Sequence, residues 1–334
     1  MNGLFARSTR VAVVAGAVAL AACGGPEGSV RVTIPPGATV GTAADSLARA
    51  QVIGAPSLFR LYARLTKRDR NLKPGTYLLR RDASWNSILS SLVEGRGIVF
   101  TVTIPEGLQV ATMAPILERE LKVPPESLAA AAADSALRER LKVPTPTLEG
   151  YLFPETYVFQ EGVTAQDVVR TMVREFERRW KPEWDVRLLA LKMSRHEIVT
   201  LASIIEKEAR VANERPVISA VYHNRLKRGM LLQADPTVLY SLGRHVDRVL
   251  YRHLRIDSPY NTYRYAGLPP GPIASPGAAS LEAALYPSEV PYLYFVAHPD
   301  GHHEFRRTLR EHNEAVRQMR ALRQQRGRSA SQRQ

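Results

Sequence analysis

The strongest constraint on the fold is a short motif that occurs twice in the first third of the chain. VTIPPG at residues 32–37 recurs as VTIPEG at residues 102–107. Each copy alternates apolar and polar residues and then reaches a Pro-x-Gly turn, which is the pattern of a short strand. A helical pattern follows each copy, at 43–50 and at 113–121. The sequence therefore predicts an α+β protein, in which strands and helices are mixed along the chain.

The first copy begins a small module that we predict at residues 30–100. A KPGTY turn leads into a second strand at 77–79. The apolar stripe of an amphipathic helix follows at Trp85, Ile88, Leu89, Leu92 and Val93. Gly95 stands where that helix would be capped. In layout this β-α-α-β module resembles a LysM-like domain, a fold that binds N-acetylated glycans. A spacer that holds the rest of the chain off a membrane is the alternative.

Residues 1–22 are typical of an export signal. Two arginines precede a twelve-residue apolar run at 11–22, and such a run is shorter than the roughly 20 residues of a membrane-spanning helix. The Ala-Ala-Cys sequence at its end resembles a bacterial lipobox. Cys23 is therefore predicted to be the lipidated first residue of the mature protein, in a linker at 23–29. An uncleaved membrane helix or a buried thiol are the alternatives. Because Cys23 is the only cysteine, the chain has no internal disulfide.

Basic residues dominate the charge of the chain, and half of the excess lies near its C-terminal end. The formal net charge is +14, and from Arg306 onward nine arginines accompany only two glutamates. A basic surface suits nucleic acid, anionic lipid or an anionic cell-wall polymer. The export signal and the lack of zinc-finger or RNA-binding signatures argue against nucleic acid as a partner. Residues 321–334, which largely lack an apolar period, are predicted to form a basic disordered tail.

An acid-bearing apolar helix is the first candidate for catalysis. A helical pattern runs over residues 186–211, and at 100° per residue its apolar side chains form one arc. Glu206 falls at the border of this arc, whereas Glu208 points into it, about 160° away. Burial raises the pKa of a glutamate carboxyl above about 4.3, which keeps the proton that a general acid must donate. A surface ion pair between Glu206 and Arg210 is the alternative.

Four motifs in one order carry a resemblance to a known family. They are LASIIEKEARVANERPVISAVYHNRL at 201–226, LLQADPTVLYSLG at 231–243, SPYNTYRYAGLPPGPIASPG at 258–277 and YPSEVPYLYFV at 286–296. With them the chain closely resembles the endolytic murein transglycosylases of the MltG (YceG-like) family. The resemblance implies a LysM-like subdomain at 30–100 before a catalytic domain at 101–320. It also implies a membrane-anchored protein of the cell envelope, with its catalytic domain at the periplasmic face of the inner membrane.

The resemblance assigns the chemistry to one acid. Glu206, the acid of LASIIE, is implied to protonate the glycosidic oxygen between N-acetylmuramic acid and N-acetylglucosamine in peptidoglycan. As a base it would then take the proton of the muramyl C6 hydroxyl, so that a 1,6-anhydro ring closes without water. In the family this reaction ends nascent glycan strands, which implies peptidoglycan synthases as partners. A non-catalytic lipoprotein that scaffolds wall synthesis and a hydrolytic muramidase remain the alternatives.

The loops around the acid helix supply candidate substrate contacts. Polar side chains can hydrogen-bond sugar hydroxyl and acetamido groups, and tyrosines can stack on sugar faces. The candidates for substrate binding are Gln233, Asp235, Tyr260, Asn261, Thr262, Tyr263, Glu149 and Glu155. Asn224 and Arg225 on the next helix are candidates for orienting Glu206. For each of these residues a role in shaping the protein is the alternative.

No metal and no cofactor are predicted. His196-Glu197 begins like a zinc-protease motif, but Thr200 occupies the position of the second histidine. Nucleophile-elbow and phosphate-loop motifs are missing from the sequence. A loose group near the C-terminal end is interpreted as surface histidines rather than as a metal site. Its members are His298, His302, His303 and His312.

Overall fold

The structure is a computed structural model that describes residues 28–243, 246, 249–298 and 300–331. Cys23 and the predicted export signal lie outside the described residues. The chain divides into two units, Met1–Ile98 and Val99–Gln334. About 50% of it is helical and 10% is in strands, which confirms the predicted mixture of helix and strand.

The first unit is built on a two-stranded antiparallel sheet. Strand β1 (Ser29–Ile34) pairs with strand β2 (Gly75–Arg80). Helices α1 (Val40–Arg49) and α2 (Pro56–Leu65) lie between the two strands in sequence, and α3 (Trp85–Glu94) follows β2. The sequence predicts the order strand, helix, helix, strand for this region, but it indicates no helix at 56–65 and gives its second helix at 85–93, which follows β2.

The core of the first unit comes from one face of the sheet and from the apolar stripes of its helices. Ile34 of β1, Phe59 of α2 and Leu89 of α3 are almost fully buried in it. Helix α3 ends at Gly95, whose left-handed conformation (φ 75°) lets its N–H bond to the carbonyl oxygen of Ser91. This confirms the predicted cap. That the unit is LysM-like stays a prediction.

In its described part the second unit holds two further antiparallel strand pairs and ten helices. Strand β3 (Val99–Thr103) pairs with β4 (Thr156–Gln160), and β5 (Tyr294–Ala297) pairs with β6 (His303–Arg306). The helices are α4 (Val110–Leu121), α5 (Pro125–Ala132), α6 (Ser135–Leu141), α7 (Ala165–Arg179), α8 (Pro182–Leu191), α9 (Arg195–Glu208), α10 (Arg215–Lys227), α11 (Asp235–Ser241), α12 (Ala278–Leu285) and α13 (Leu309–Ser331). Within the described ranges, we find no helix with the length and apolar character needed to cross a membrane.

Helix α9 is the centre of the second unit. Every residue from 198 to 205 is buried, and α10, α11 and α12 pack around the helix. Its buried Ser203 donates a hydrogen bond to the carbonyl oxygen of Thr200 at 2.7 Å and accepts one from the N–H of Ile273 at 3.0 Å. Because each buried aliphatic side chain contributes about 1.5–3 kcal/mol, the helix is held firmly, and its last turn presents two acids.

The single helical pattern predicted at 186–211 is two helices in the structure. Helix α8 ends before Lys192, which has a left-handed conformation with φ 55°. Helix α9 then begins with a capping box, in which Ser194 and Glu197 each accept the backbone N–H of the other, at 3.2 and 2.8 Å. Apolar residues of both helices pack against the same core. The apolar period therefore continues across the break and does not reveal it.

The prediction of a disordered tail at 321–334 needs correction, because helix α13 continues to Ser331. Residues 332–334 lie outside the described residues. The first part of α13 is anchored in the protein, because Ala315 and Met319 are buried. Once a helix has begun on such anchors, adding residues costs little, and the Ala, Leu, Gln and Arg that follow are strong helix formers.

Gly150 is a position where an added methyl group should destabilise the second unit. It has φ 83°, and an alanine Cβ there would lie 2.4 Å from Cβ of Pro272 and 3.3 Å from Cγ1 of Val199. Overpacking costs about 1–3 kcal/mol, and the left-handed conformation costs a residue with a Cβ about 1–2 kcal/mol. We expect Gly150→Ala to lower the free energy of unfolding by about 2–5 kcal/mol in urea denaturation of the full chain.

Gly162→Ala is the matched control for this prediction. Gly162 has a similar φ of 79°, but among the described residues nothing lies within 4 Å of an added Cβ. In this variant the free energy of unfolding should fall by only about 1–2 kcal/mol, the cost of the left-handed conformation. Equal losses in the two variants would show that the close approach of Pro272 does not restrict Gly150.

Candidate functional site

A cavity of about 400 Å³ opens at the C-terminal end of helix α9. Its walls come from six segments of the chain, which are the last residue of α9, one face of α10, residues 232–235 at the start of α11, the loop with Tyr263 after α11, the β5–β6 hairpin and α13. Its principal lining residues are Glu208, Tyr222, Arg225, Gln233, Asp235, Tyr263, Phe295, His303 and His312. The cavity thus joins an acid to polar and aromatic side chains from five other segments.

Glu208 is the acid of this cavity. It is the last residue of α9, and it is partly exposed. The hydroxyl of Tyr222 donates a hydrogen bond to Oε1 of Glu208 at 3.3 Å. Burial of the carboxyl group raises the pKa of Glu208 to about 7, and the negative charge of Asp235 acts in the same direction. A carboxyl group with this pKa can both donate and accept a proton near neutral pH.

The loop before α11 supplies exposed polar groups to the cavity. The hydroxyl of Tyr263 donates a hydrogen bond to Oδ1 of Asp235 at 2.6 Å. Gln233 has a left-handed conformation with φ 50°, and its N–H donates to the carbonyl oxygen of Thr262 at 3.1 Å. That conformation costs about 1–2 kcal/mol, so the loop holds Gln233 in place against a local preference. Three predicted substrate-binding residues, Gln233, Asp235 and Tyr263, therefore lie at one cavity with Glu208.

Asn261 and Thr262 lie behind this loop and are almost fully buried. The side-chain amide of Asn261 donates to two loop carbonyl oxygens at 2.8 and 3.0 Å. The hydroxyl of Thr262 accepts the N–H of Ala234 at 3.0 Å. These contacts support the alternative that the sequence left open for both residues, which is that they shape the loop.

Two side chains of α10 connect the β5–β6 hairpin to the cavity. The amide of Asn224 donates to two carbonyl oxygens of the segment before β5, at 2.8 and 2.9 Å. The buried guanidinium of Arg225 donates to one carbonyl oxygen of that segment at 2.7 Å and to one of the loop before α11 at 2.8 Å. The charge of Arg225 also opposes the rise in the pKa of Glu208. The predicted orientation of Glu206 by these two residues stays a prediction.

Glu206 lies on another side of α9 and has different partners. Its Oε2 accepts hydrogen bonds from the hydroxyl of Ser280 at 2.7 Å and from the N–H of Gly277 at 3.1 Å. Its Oε1 lies 3.6 Å from the guanidinium of Arg215, and its side chain is only 7% exposed. Glu106 lies near this carboxyl group. Burial and the negative charge of Glu206 both raise the pKa of Glu106. The carboxylate of Glu206 thus ties α9 to α10 and α12.

The remaining predicted contacts make hydrogen bonds or packing contacts inside the protein. Glu149 is buried, and both oxygens of its carboxyl group lie 3.2 Å from the first N–H of α4; burial raises the pKa of Glu149 to about 7. The ring of Tyr260 packs on Tyr240, with 4.8 Å between the ring centroids. Glu155 forms an ion pair with an arginine of α7. For these three residues the contacts favour a structural role.

The sequence motifs favour Glu206 as the catalytic acid and assign no role to Glu208. A signal for Glu208 was present, since the helical pattern directs it into the apolar arc, where burial raises the pKa of a carboxyl group. Tyr222 and the hairpin residues Phe295 and His303 were also missed. Their approach to Glu208 depends on how α10 and the hairpin pack, which helical periodicity does not indicate.

An acid of raised pKa at an open cavity with polar walls is typical of an acid–base catalyst. The chain belongs to the YceG-like family, whose family model matches residues 32–318. The resemblance predicted from the four sequence motifs is thereby confirmed.

Three relatives show how far the likeness extends. The endolytic murein transglycosylase of Bacillus subtilis (strain 168) is 38% identical over 303 residues, which are 86% of this chain and 84% of that protein. The endolytic murein transglycosylase of Streptococcus pneumoniae strain D39 is 30% identical over 299 residues, but the chain spans only 54% of that protein. A yceG-like protein of Listeria monocytogenes, known from a 2.6 Å crystal structure, has 35% identity and a TM-score of 0.60, with 86% of this chain and 99% of that one covered.

Proposed function

We propose that this protein is an endolytic lytic transglycosylase of peptidoglycan and that Glu208 is its general acid and base. The observation that carries the proposal is the carboxyl group of Glu208 at the cavity, with a pKa raised to about 7. The names of the Bacillus and Streptococcus relatives support the same reaction. They do not favour a non-catalytic scaffold.

The reaction begins with proton transfer from Glu208 to the glycosidic oxygen between N-acetylmuramic acid and N-acetylglucosamine. As the C1–O bond breaks, positive charge develops on the muramyl ring, and the newly ionised carboxylate of Glu208 stabilises it. Glu208 then takes the proton of the muramyl C6 hydroxyl, and the C6 oxygen bonds to C1. The products are a free 4-hydroxyl on N-acetylglucosamine and a 1,6-anhydromuramyl end, so no water is consumed.

We assign this role to Glu208 rather than to Glu206 because of what each carboxyl group contacts. The oxygens of Glu206 accept hydrogen bonds from Ser280 and Gly277 and lie beside Arg215. A general acid must reach the substrate oxygen within hydrogen-bond distance. Glu208 makes one long hydrogen bond, to Tyr222, and faces a cavity that a sugar can enter.

The walls of the cavity support binding of a glycan strand. Asp235 and Gln233 are exposed polar side chains beside Glu208, suited to sugar hydroxyl and acetamido groups. Tyr263 and Phe295 add aromatic surface, on which a sugar ring can stack. In this proposal Tyr263 also restrains Asp235 through its hydroxyl group.

The proposal extends to the location of the protein. A peptidoglycan substrate requires the second unit to lie outside the cytoplasm, in the cell envelope. We propose attachment to the membrane through a lipid on Cys23, an LysM-like role in glycan binding for the first unit, and peptidoglycan synthases as partners. The apolar run, the Ala-Ala-Cys sequence and the position of the first unit before the catalytic unit support these assignments.

The product of the reaction tests the proposed activity. The full chain, purified in detergent, is incubated with purified peptidoglycan, and the soluble fragments are analysed by mass spectrometry. We expect internal cleavage to release fragments of several disaccharides with 1,6-anhydromuramyl ends. If the protein sediments with peptidoglycan and no fragments are released, the scaffold is correct and the enzyme is not.

A further inference from the structure

The β5–β6 hairpin carries three of the four C-terminal histidines, and the structure separates the four into two groups. His303 is buried and its Nδ1 lies 2.7 Å from Oε2 of Glu214, whose other oxygen accepts the N–H of His303. His312 stacks on Tyr294, with 5.3 Å between the ring centroids. His303 therefore pairs with an acid of the protein, and His312 packs on an aromatic ring away from the hairpin tip. His298 and His302 form the other group, together with Asp300 at the tip of the hairpin.

His298, Asp300 and His302 bring three metal-binding atoms together. Nδ1 of His298 lies 2.9 Å from Oδ1 of Asp300, and Nδ1 of His302 lies 2.5 Å from the same oxygen. One such atom from each residue lies within 4.8 Å of the other two. The two imidazole rings are stacked, with centroids 4.3 Å apart. Two nitrogens and a carboxylate oxygen thus lie close together, although one of the stacked rings must turn before both nitrogens can face a single ion.

The hairpin backbone brings these three residues together before any ligand arrives. The N–H of His298 donates to the carbonyl oxygen of His302 at 2.7 Å, and the N–H of Gly301 donates back to the carbonyl oxygen of His298 at 3.0 Å. Gly301 has φ 103°, a conformation that favours glycine. These backbone bonds keep the three residues near one another, so binding an ion requires only that their side chains reorient.

Simple hydrogen bonding of Asp300 with the two histidines is the alternative. In that case Oδ1 of Asp300 is shared between Nδ1 of His298 and Nδ1 of His302, and both contacts serve only to close the turn. An ion held between the three groups would replace both contacts with bonds to the metal.

We propose that the tip of the β5–β6 hairpin is a binding site for a divalent transition metal ion of the zinc class. Its ligands are Nδ1 of His298, a carboxylate oxygen of Asp300 and Nδ1 of His302, with the fourth position open to water. Zinc prefers such nitrogen and oxygen ligands at about 2.0–2.2 Å in a tetrahedron, which separates neighbouring ligand atoms by about 3.3 Å. His302 and Asp300 are exposed, so their side chains can make the small adjustment that this requires.

A bound ion would brace one wall of the Glu208 cavity, because the same hairpin lines that cavity through Phe295 and His303. None of the three ligands is among the residues to which we assign proton transfer or substrate binding. Metal binding can therefore be measured without any assay of cleavage.

Zinc affinity of the full chain tests the site. The protein is purified in detergent, stripped of metal, and titrated with Zn²⁺ in competition with a chromophoric chelator. We expect one bound ion in the unaltered chain. Asp300→Asn and His302→Ala should each weaken binding by at least about tenfold, since loss of even an outer partner of a ligand costs roughly 10–100-fold. Both residues are exposed, so neither change should affect folding.

His312→Gln is the matched control, because it removes a histidine next to the hairpin from outside the cluster. It should keep the affinity of the unaltered chain. Co²⁺ provides a second measurement, because the visible spectrum of bound Co²⁺ reports its imidazole ligands. The spectrum should change in His302→Ala and stay the same in His312→Gln. Failure of the unaltered chain to bind Zn²⁺, or equal affinity in all variants, would overturn the proposal.

Discussion

Glu208→Gln is expected to lower the rate of glycan cleavage by about 10²- to 10⁴-fold, the usual contribution of a positioned general acid and base. Glutamine has nearly the same shape and can still accept the hydrogen bond from Tyr222, but it has no proton to transfer. The variant should therefore fold and bind peptidoglycan as the unaltered chain does. The rate is measured as anhydromuramyl ends released per unit time from purified peptidoglycan, and binding is measured by sedimentation with the same material.

Glu206→Gln is the matched control, since it makes the same chemical change two residues away on the same helix. It weakens an ion pair with Arg215, whose side chain is only 15% exposed, so the main expected effect is lower stability. Molecules that remain folded should still cleave. The opposite pattern, with cleavage lost in Glu206→Gln and kept in Glu208→Gln, would return the catalytic role to the residue that the sequence favoured.

The pH profile of cleavage is expected to show the acid directly. Because the pKa of Glu208 is raised to about 7, its protonated form, which donates the proton, is lost as the pH rises above that value. The kcat/KM of the unaltered chain should therefore fall about tenfold per pH unit above about pH 7. Below about pH 7 the carboxyl group of Glu208 stays protonated, so it causes no decrease in kcat/KM there.

Asp235→Asn should move this decrease to lower pH. The ionised carboxylate of Asp235 helps to raise the pKa of Glu208, so its removal makes Glu208 ionise more easily. The comparison uses kcat/KM, which reports the free enzyme, because Asp235 is also proposed to bind substrate and its loss should affect KM. If kcat/KM of Asp235→Asn begins to fall at the same pH as in the unaltered chain, or at a higher pH, another group controls the pH profile.

Much of the first unit could be predicted from its sequence, because its elements are short and its signals are local. The strand at 32–34 ends in a Pro-x-Gly turn, and the stripe from Trp85 to Val93 is followed by Gly95 as its cap. The loop carrying Gln233 and Asp235 was also identified, since polar residues between two helical patterns are typical of an exposed loop.

The choice between Glu206 and Glu208 could not be made from periodicity. A helical wheel gives the direction of each side chain but not what the rest of the chain brings to meet it. Glu206 is occupied by Gly277 and Ser280, which are more than 70 residues further along. Glu208 is left facing a cavity whose walls come from six segments. The break at Lys192 was missed for a related reason, because helices on both sides of it face one core.

The most direct test of the account is digestion of peptidoglycan in H₂¹⁸O, followed at once by borohydride reduction and mass spectrometry of the fragment ends. If Glu208 alone donates the first proton and accepts the second, the unaltered chain should produce 1,6-anhydromuramyl ends that carry no ¹⁸O. The Glu208→Gln variant should produce almost no such ends. A hydrolase would use a second carboxylate, for which Asp235 is available, to activate water. Ends that carry ¹⁸O and are reduced by borohydride, or undiminished cleavage by Glu208→Gln, would contradict the account.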